Sequence, residues 1–384
     1  MAAVAPGGLA FPGVATAQLD EIRSRLRAFA DTEAPGESPL YAHLAGQAAD
    51  DPEIAGLLTA APPEKARPTL LLAAVHRVLQ ANPFHELVNY YPSMGGTYGL
   101  DAGTWPLFRS FALDHADAIR AIVATRTTQT NEVRRAALLY PAVAMVAKQA
   151  KAPVGLLEVG CSAGLLLGLD RYAYRYQTEQ SGQVVAGPTK TAVGLHVELG
   201  LGHGAGLPAL PKKLALAAKV GLDAAPVDLD DVDAVAWLEA CVWADQPERQ
   251  RLLTTAVALL RKDPGQVVAG DAVDDLAAAA ERVPADVPLV VLTSNVLPYL
   301  PEQRRGLFID ALAALAGSRP TWWLSHEAFG AGLSLLLPDR GDLAPAPGAP
   351  PFGVLGLTTW EGGRPKTAVL GKTALHGERL TWLL

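Results

Sequence analysis

The sequence predicts an α/β fold in which a helical N-terminal domain precedes a domain built on a mainly parallel β-sheet. Three observations carry this prediction. Residues 1–150 repeat apolar side chains at helical spacing and show no strand pattern. From Val154 onward, short apolar runs alternate with helical patterns, as they do in parallel sheets with crossover helices. The tail, residues 353–384, alternates as antiparallel strands do. We therefore place a helical cap domain at 1–150 and the sheet domain at 151–384.

Length and composition narrow the class of protein. The chain has 384 residues, half of them hydrophobic, which is enough for two domains with a sizeable core. Its net charge of −7 lacks the basic footprint that binding to a nucleic-acid backbone needs, so we expect no nucleic-acid partner. Cys161 and Cys241 form no disulfide or zinc-ligand pattern, which favours a reduced, cytoplasmic setting. We expect no secretory signal, because the N-terminus lacks a basic region and a continuous apolar run, and no membrane partner, because no apolar run has the length of a membrane helix.

The helices predicted for the N-terminal domain follow from apolar periodicity and from the prolines that interrupt it. Residues 1–12 are predicted to be a loose start. An aromatic, glycine-rich loop occupies 89–96, and a polar patch, 127–132, begins the last helix of the domain. The predicted helices begin at Thr16 and then cover residues 40–49, 52–59, 69–80, 105–126 and about 133–150.

Five short apolar runs are predicted to form the parallel part of the sheet, at 155–159, 219–223, 266–269, 288–292 and 321–324. The helices between them are predicted at 163–172, 233–241, 247–261, 273–282 and 303–316. Residues 175–206 are predicted to be an irregular insertion with weak strand signals near Val184 and Leu195. The tail is predicted to pair antiparallel at 353–360, 367–370 and 380–384.

A turn of small residues follows the first predicted strand. Gly160, Ser162 and Gly164 let the backbone approach a ligand closely. Backbone amides at the start of the next helix favour a negative or polar group. Turns of this kind also occur simply to pack a helix on a sheet, so a packing turn is the alternative interpretation.

Three acidic residues end predicted strands: Glu158, Asp223 and Asp271. In open α/β sheets, ligands bind beyond the carboxyl ends of the strands. An acid that ends the second strand is placed to accept hydrogen bonds from ribose hydroxyls. An acid that ends the third is placed to hold an adenine amino group. The turn and the acids together predict a site for a nucleotide-like ligand.

These elements resemble the motifs of class I S-adenosylmethionine-dependent methyltransferases. Glu-x-Gly-x-x-x-Gly at 158–164, Gly-Leu-Asp-x-x-Pro at 221–226, Gly-Asp-Ala at 270–272 and Val-Val-Leu-Thr-Ser-Asn at 290–295 follow the order of that fold's first four strands. The resemblance implies a Rossmann-like, mainly parallel seven-stranded sheet with an antiparallel C-terminal strand, and S-adenosylmethionine as the cofactor. It implies that the cofactor-binding residues are Glu158, Gly160, Ser162, Gly164, Asp223, Asp271 and Asn295.

Motifs spread over almost the whole chain also resemble an actinobacterial family of unknown function, DUF2332. They are Ser-Pro-Leu-Tyr at 38–41, Thr-Gln-Thr-Asn-Glu-Val at 128–133, Leu-Glu-Val-Gly-Cys-Ser-Ala-Gly-Leu at 157–165, Asp-Arg-Tyr-Ala-Tyr at 170–174, Gly-Leu-Asp at 221–223 and Val-Trp-Ala-Asp-Gln at 242–246. The chain departs from the expected patterns at three positions. Leu166 stands where this family is expected to have Asn, Arg134 where it is expected to have Gly, and Ser162 where methyltransferases commonly have Gly.

Methyl transfer requires alignment of the reacting groups and, for some acceptors, removal of a proton. His326 and Glu327 follow the fifth predicted strand and are the candidate bases, with a solvated loop pair as the alternative. Tyr299 is a candidate to line the substrate pocket, with a packed aromatic as the alternative. A further group allows two interpretations, a lid over the site or loop anchoring with helix capping: His85, Tyr90, Tyr91 and residues 128–131.

The first functional hypothesis is methyl transfer from S-adenosylmethionine to a small-molecule substrate. The second keeps the fold without methyl transfer, as in an intramolecular displacement or cyclisation in secondary metabolism, and is motivated by Ser162 and Leu166. The third is a non-catalytic partner subunit, and the sequence leaves open a homodimer or a heterodimer. A dinucleotide-dependent dehydrogenase is a weaker alternative, because it favours glycine at position 162. We expect no metal ion, because the histidines lack ligand spacing, and no nucleophilic role for Cys161, which has no base near it in sequence.

Overall fold

The structure is a computed structural model that describes residues 12–346 and 348–384. The loose start predicted for residues 1–12 lies outside the described residues except at Pro12, where the first helix begins. The α-helices are α1 Pro12–Ala28, α2 Pro39–Asp50, α3 Pro52–Gly56, α4 Pro68–Gln80, α5 Thr104–Asp114, α6 Ala116–Thr125, α7 Arg135–Ala150, α8 Val232–Cys241, α9 Pro247–Leu260, α10 Leu276–Ala280 and α11 Glu302–Ser318.

The strands follow one another along the second part of the chain. They are β1 Val154–Val159, β2 Ala173–Thr178, β3 Gly182–Ala186, β4 Gly194–Leu201, β5 Leu216–Asp223, β6 Gln266–Ala269, β7 Leu289–Ser294, β8 Thr321–Glu327, β9 Gly353–Glu361, β10 Arg364–Thr373 and β11 Arg379–Trp382. No helix in the described ranges combines the length and the apolar character needed to cross a bilayer.

The chain forms two compact units. Unit 1 comprises the described residues up to Thr130 together with Val232–Arg251, and unit 2 comprises Asn131–Asp231 and Leu252–Leu384. The predicted boundary lay between residues 150 and 151, whereas the division falls before α7. Helix α7 belongs to unit 2 because it lies against strands of the sheet, and α8 belongs to unit 1 because it packs on α4.

Unit 1 consists of helices joined by loops, with no strand among its described residues, as the apolar periodicity predicts. Side-chain capping, proline positions and backbone conformation explain where two of these helices start or end. The Ser38 side chain accepts a hydrogen bond from Tyr41 N–H and Pro39 occupies the first turn of α2, a favourable N-terminal arrangement. The single helix predicted at 105–126 is two helices, because His115 leaves helical geometry with φ −114° and ψ 21°.

Two of the motifs quoted above meet in unit 1. Asp245 accepts hydrogen bonds from Ser38 Oγ at 2.5 Å and from Leu40 N–H at 3.1 Å. The ring of Trp243 packs against Phe29 and Tyr41, with centroids 5.5 Å and 6.0 Å away. Residues 232–251 thus complete the core of a unit whose other residues lie far earlier in the sequence.

Unit 2 is a mixed α/β fold with one large, mostly parallel sheet. Its eleven strands lie in the order β3-β2-β4-β11-β10-β9-β8-β7-β1-β5-β6. Strands β6, β5, β1, β7 and β8 pair in parallel, and β9 and β10 pair antiparallel as a hairpin. The sheet therefore has more strands than the seven that the resemblance implied.

The extra strands come from the segment that was predicted to be an irregular insertion. Residues 173–201 supply β2, β3 and β4, which join the sheet through pairing of β4 with β11. In β2, Tyr174, Tyr176 and Thr178 are buried while the residues between them are partly or fully exposed. This alternation is the pattern of a half-buried strand.

The helix predicted at 163–172 is also different. After the turn, the chain forms a short 3-10 helix, Leu165–Arg171, in place of an α-helix. A side-chain carbon at Gly168 would approach Leu260 to 2.6 Å, so the segment packs too closely for a larger residue there. Tyr172, fully buried, donates its hydroxyl to the carbonyl of Leu165 at 2.6 Å and supports this short helix.

Candidate functional site

The candidate site lies at the carboxyl edge of the parallel strands. Along the sheet, β6, β5, β1, β7 and β8 are the third, second, first, fourth and fifth strands of this parallel group in chain order. The order reverses between β1 and β7, and open α/β sheets bind ligands beyond the strand ends at such a reversal. Glu158 is the penultimate residue of β1 and Asp223 is the last residue of β5.

The turn after β1 depends on left-handed backbone conformations. Gly160 has φ +72°, and a Cβ there would come within 2.3 Å of Val296 Cγ2, so glycine is required for conformation and for space. Ser162 also has a positive φ, +50°, which is uncommon for a residue with a side chain. A serine held in this conformation indicates that its surroundings fix the turn.

Side chains of unit 2 hold Ser162 in place. Its N–H donates to Asp223 Oδ2 at 2.7 Å, its carbonyl accepts from Val227 N–H at 3.0 Å, and its hydroxyl accepts from Asn131 Nδ2 at 2.8 Å. The next amide, Ala163 N–H, donates to Asn131 Oδ1 at 3.2 Å. The amides of Ser162 and Ala163 are therefore not available to a ligand, because Asp223 and Asn131 already accept their hydrogen bonds.

Asp223 is half-buried and keeps part of its acceptor capacity. Its Oδ2 accepts from Ser162 N–H, and its Oδ1 accepts from Ala225 N–H at 2.8 Å. Each carboxylate oxygen carries two acceptor positions, so one on each oxygen stays available. Asp223 thus shapes the turn and is also able to accept a hydrogen bond from a ligand.

Gly164, the last glycine of the turn, has φ +66°, and a Cβ there would lie 3.2 Å from Leu167 Cδ1 and 3.3 Å from Val267 Cγ2. It lines a cavity of about 380 Å³ whose other walls come from Ala163, residues 226–230, Leu260, Arg261, Pro264, Gly265 and Val267.

Asp271 lies two residues after β6, and its side chain accepts hydrogen bonds from backbone amides of the following loop. Its Oδ1 accepts from Val273 N–H at 2.7 Å, from Asp274 N–H at 3.0 Å and from Arg304 at 2.5 Å. Burial raises the pKa of Asp271, but these hydrogen bonds and the guanidinium outweigh it and lower the pKa overall. Among the described residues, no hydrogen bond reaches its other oxygen, Oδ2.

Glu158 is almost completely buried, with 3% of its surface exposed. Burial raises the pKa of its carboxyl group, nearby Asp223 adds to the increase, and Arg135 opposes it. Its Oε2 has no hydrogen-bond partner in the described part of the chain. Because native structures rarely leave a buried polar atom unsatisfied, this oxygen is a candidate acceptor for a ligand.

His326 is fully buried in β8, so the expectation that it is an accessible base is wrong. Its Nδ1 contacts Ser294 Oγ at 2.9 Å and its Nε2 contacts Thr373 Oγ1 at 2.9 Å. Burial, assisted by the positive charge of Arg135, lowers the pKa of His326 from 6.5 to about 3. The ring is therefore neutral at physiological pH, and both nitrogens are used within the protein.

Glu327 is likewise buried, with 1% of its surface exposed, and the alternative of a solvated loop pair is also wrong. Its Oε1 and Oε2 accept from Val296 N–H at 3.2 Å and 3.1 Å. Burial raises its pKa from 4.5 to about 7, although hydrogen bonds from Val296, Thr293 and Leu297 oppose the increase. Glu327 therefore fixes the loop after β7, which packs against Gly160.

The two candidates from that loop differ in their surroundings. Asn295 has φ +57° and donates its N–H to the carbonyl of His326 at 2.9 Å. Its side chain makes no hydrogen bond within the described residues, so its amide is available. Tyr299 is 70% exposed at the surface, so the alternative interpretation, that it is a packed aromatic side chain, is wrong.

A comparison of the chain with known protein families identifies one match. The family is DUF2332, described as an uncharacterized protein conserved in bacteria, and it matches residues 23–382. The chain belongs to the DUF2332 family. A comparison with curated proteins found no match.

In this DUF2332 protein, two residues outside the predicted cofactor-binding and catalytic sets have central positions. Asn131 joins the 128–133 motif to the turn of the 157–165 motif, where a lid or a loop anchor had been the two interpretations. Arg135, 6% exposed at the start of α7, donates to the carbonyls of Leu375 and Ser294 at 3.3 Å and 3.4 Å. The sequence signal for this buried cation is the position of Arg135 directly before a run of apolar residues.

Proposed function

We propose that this DUF2332 protein is an S-adenosylmethionine-dependent methyltransferase that acts on a small molecule, and that unit 2 has a Rossmann-like class I methyltransferase fold. One observation carries the proposal. Glu158 and Asp223 at the ends of β1 and β5, with Asp271 just past β6, place three acids along neighbouring parallel strands, beside the point where strand order reverses. This is the edge at which open α/β sheets bind nucleotide-like ligands.

Four residues at this edge fit such a cofactor. Asp223 retains acceptor positions for ribose hydroxyls, and Oδ2 of Asp271 is an acceptor suited to an amino group. Oε2 of Glu158 is a buried acceptor without a partner among the described residues. The amide of Asn295 adds both a donor and an acceptor.

The chemistry asks little of the protein beyond alignment. S-adenosylmethionine supplies an activated methyl group on a positively charged sulfur. Binding and orientation of the acceptor are the main contributions expected of the protein, because well-aligned reactants lose most of the entropic barrier. The buried ring of His326 does not serve as a base for the acceptor in this arrangement, which favours acceptors that react without one.

Calorimetry with S-adenosylmethionine and S-adenosylhomocysteine tests the cofactor. We expect both to bind, and we expect Glu158→Gln to weaken binding at least about fivefold, which corresponds to ~1 kcal/mol for a lost hydrogen bond. Glu198→Gln, an exposed carboxylate on β4, is the matched control and should bind as the wild type does. Absence of binding at millimolar ligand would rule out the cofactor.

A second candidate function is a reaction on the same fold without methyl transfer, such as an intramolecular displacement or cyclisation. The hydrogen bonds that occupy the amides of Ser162 and Ala163 favour it, because these amides are then withdrawn from a ligand. Turnover assays distinguish the two: S-adenosylhomocysteine produced in proportion to product supports methyl transfer, whereas product without it supports the second candidate.

A further inference from the structure

A second cavity lies in unit 1, apart from the residues proposed to bind the cofactor. Its volume is about 350 Å³, within the range of small-molecule sites. It lies where the 38–41 and 242–246 motifs meet, a feature that the proposed function does not use. Its wall combines carboxylates, aliphatic side chains and two tyrosines: Glu37, Leu40, Tyr90, Tyr98, Leu100 and Asp245.

The two tyrosines form a fixed, perpendicular pair. The Tyr90 hydroxyl donates to Asp101 Oδ1 at 2.8 Å, which holds the ring of Tyr90 in one orientation. The ring of Tyr98 stands at 89° to it with the centroids 5.4 Å apart. Tyr90 is 6% exposed and Tyr98 is 57% exposed, so the pair has a buried member and an accessible member.

The charged side chains of the cavity wall are all acidic. Asp245 is held by hydrogen bonds from Ser38 Oγ and Leu40 N–H, and Glu37 is exposed at the rim. Among the described residues that line the cavity, none is lysine, arginine or histidine. Two carboxylates beside two tyrosine rings make an environment that attracts a cation and repels an anion.

We propose that this cavity binds a small alkylammonium compound. Aromatic faces attract a positive charge through their electron-rich π surface, and a methylated ammonium group also covers apolar surface such as Leu40 and Leu100. Glu37 and Asp245 supply the opposite charge without competing cations in the wall. The preoriented Tyr90 lowers the cost of ordering the site.

Choline and its uncharged carbon analogue 3,3-dimethylbutan-1-ol are the probes, because they share shape and differ in charge. By calorimetry on the full chain, we expect choline to bind at millimolar concentration or below, and the analogue to bind at least about fivefold more weakly. Equal affinities, or no binding of choline at tens of millimolar, would overturn the proposal.

Variants locate the binding. Tyr98→Ala and Glu37→Gln should each weaken choline binding by about two- to fivefold, since both side chains line the cavity and are exposed. Glu33→Gln removes the same charge from an exposed position outside the cavity and should have no effect. If both cavity variants bind choline like the wild type, the site is elsewhere and the proposal fails.

The same chemistry occurs on a trimethylated lysine side chain. A short peptide that carries trimethyllysine is therefore the second arm of the titration. Affinity for the peptide no greater than for choline supports a small-molecule ligand, and affinity at least about tenfold greater would overturn that assignment in favour of a protein partner.

Discussion

At the residue scale, Asn131 connects two consecutive positions of the turn after β1. Its side chain donates to Ser162 Oγ and accepts from Ala163 N–H. Asn131→Ala removes both hydrogen bonds and leaves the partly buried amide unsatisfied, so we expect the free energy of unfolding to fall by about 1–3 kcal/mol. Affinity for S-adenosylmethionine should fall as well, because the turn loses the contacts that fix it.

Chemical denaturation measures the first effect and calorimetry the second. Thr130→Ala is the control, since Thr130 is exposed and its side chain makes no hydrogen bond in the described structure. It should change stability by less than about 0.5 kcal/mol. A loss for Asn131→Ala no larger than for this control would show that the turn is held without Asn131.

The buried pair in β8 makes stability depend on pH in two opposite directions. Glu327 has a raised pKa, so the stability of its protonated form is fully present below pH 4.5 and is lost as the pH rises through about 7. His326 has a lowered pKa, so the stability of its neutral form is present above pH 6.5 and is lost as the pH falls towards about 3.

Glu327→Gln isolates the first of these contributions. The amide stays neutral, so the variant avoids burying a negative charge at high pH. Relative to the wild type, we expect it to gain about 3 kcal/mol of unfolding free energy between about pH 5 and about pH 8. Denaturation curves for both proteins across this range give the difference, and a constant difference would show that Glu327 does not titrate there.

At the element scale, the close contact between the turn after β1 and the loop after β7 requires glycine at position 160. Gly160→Ala adds a Cβ at a position with φ +72° and 2.3 Å from Val296 Cγ2. We expect this variant to lose about 2–4 kcal/mol of unfolding free energy from backbone strain and overpacking together.

Gly204→Ala separates the two causes. Gly204 has a similar φ, +76°, but no atom lies within 4 Å of the added carbon. It should lose only about 1 kcal/mol, from the left-handed conformation alone. Thermal or denaturant unfolding compares the pair, and equal losses would show that the contact with Val296 relaxes freely.

The parallel strands were predictable from the sequence because each is a short apolar run between turn residues. The prediction for 266–269 matches β6, and those for β5 and β8 end within three residues of the observed strand ends. The weak strand signals near Val184 and Leu195 lie in β3 and β4, whereas β2 was missed. Their pairing depends on β11, far along the chain, and local patterns do not report such contacts.

The sequence predicted where in the sheet the candidate site lies, but it did not predict the contacts that its residues make. Periodicity located the strand ends that carry Glu158 and Asp223. It did not reveal that His326 is buried, because burial of a strand end depends on neighbours such as Thr373. Nor did it reveal that Asn131, 31 positions before Ser162, occupies the turn.

At the scale of the whole molecule, Asp245 anchors a late segment of the chain in the core of unit 1. Asp245→Ala removes the acceptor for Ser38 Oγ and Leu40 N–H, and Ser38 is fully buried. We expect a loss of about 2–4 kcal/mol in the stability of unit 1. The exposed Asp20 gives the control, Asp20→Ala.

Hydrogen exchange followed by mass spectrometry assigns the loss to a unit. Asp245→Ala should raise exchange in α2, α4 and α8 while the strands of the sheet stay protected. Uniform exchange across both units, or exchange like that of Asp20→Ala, would contradict an anchoring role for Asp245.

Unit 1 is formed by two separate segments of the chain, so it cannot be completed until the second segment has been synthesised. Its first part ends at Thr130, and the segment that completes it starts at Val232, about 100 residues later. At ribosomal rates of about 5–20 residues per second, the nascent first part waits roughly 5–20 s for that segment. During this interval, the apolar side chains that contact Trp237, Ala240 and Ala244 in the finished protein have no permanent cover. We therefore expect the growing chain to bind chaperones that recognise exposed apolar segments at the ribosome.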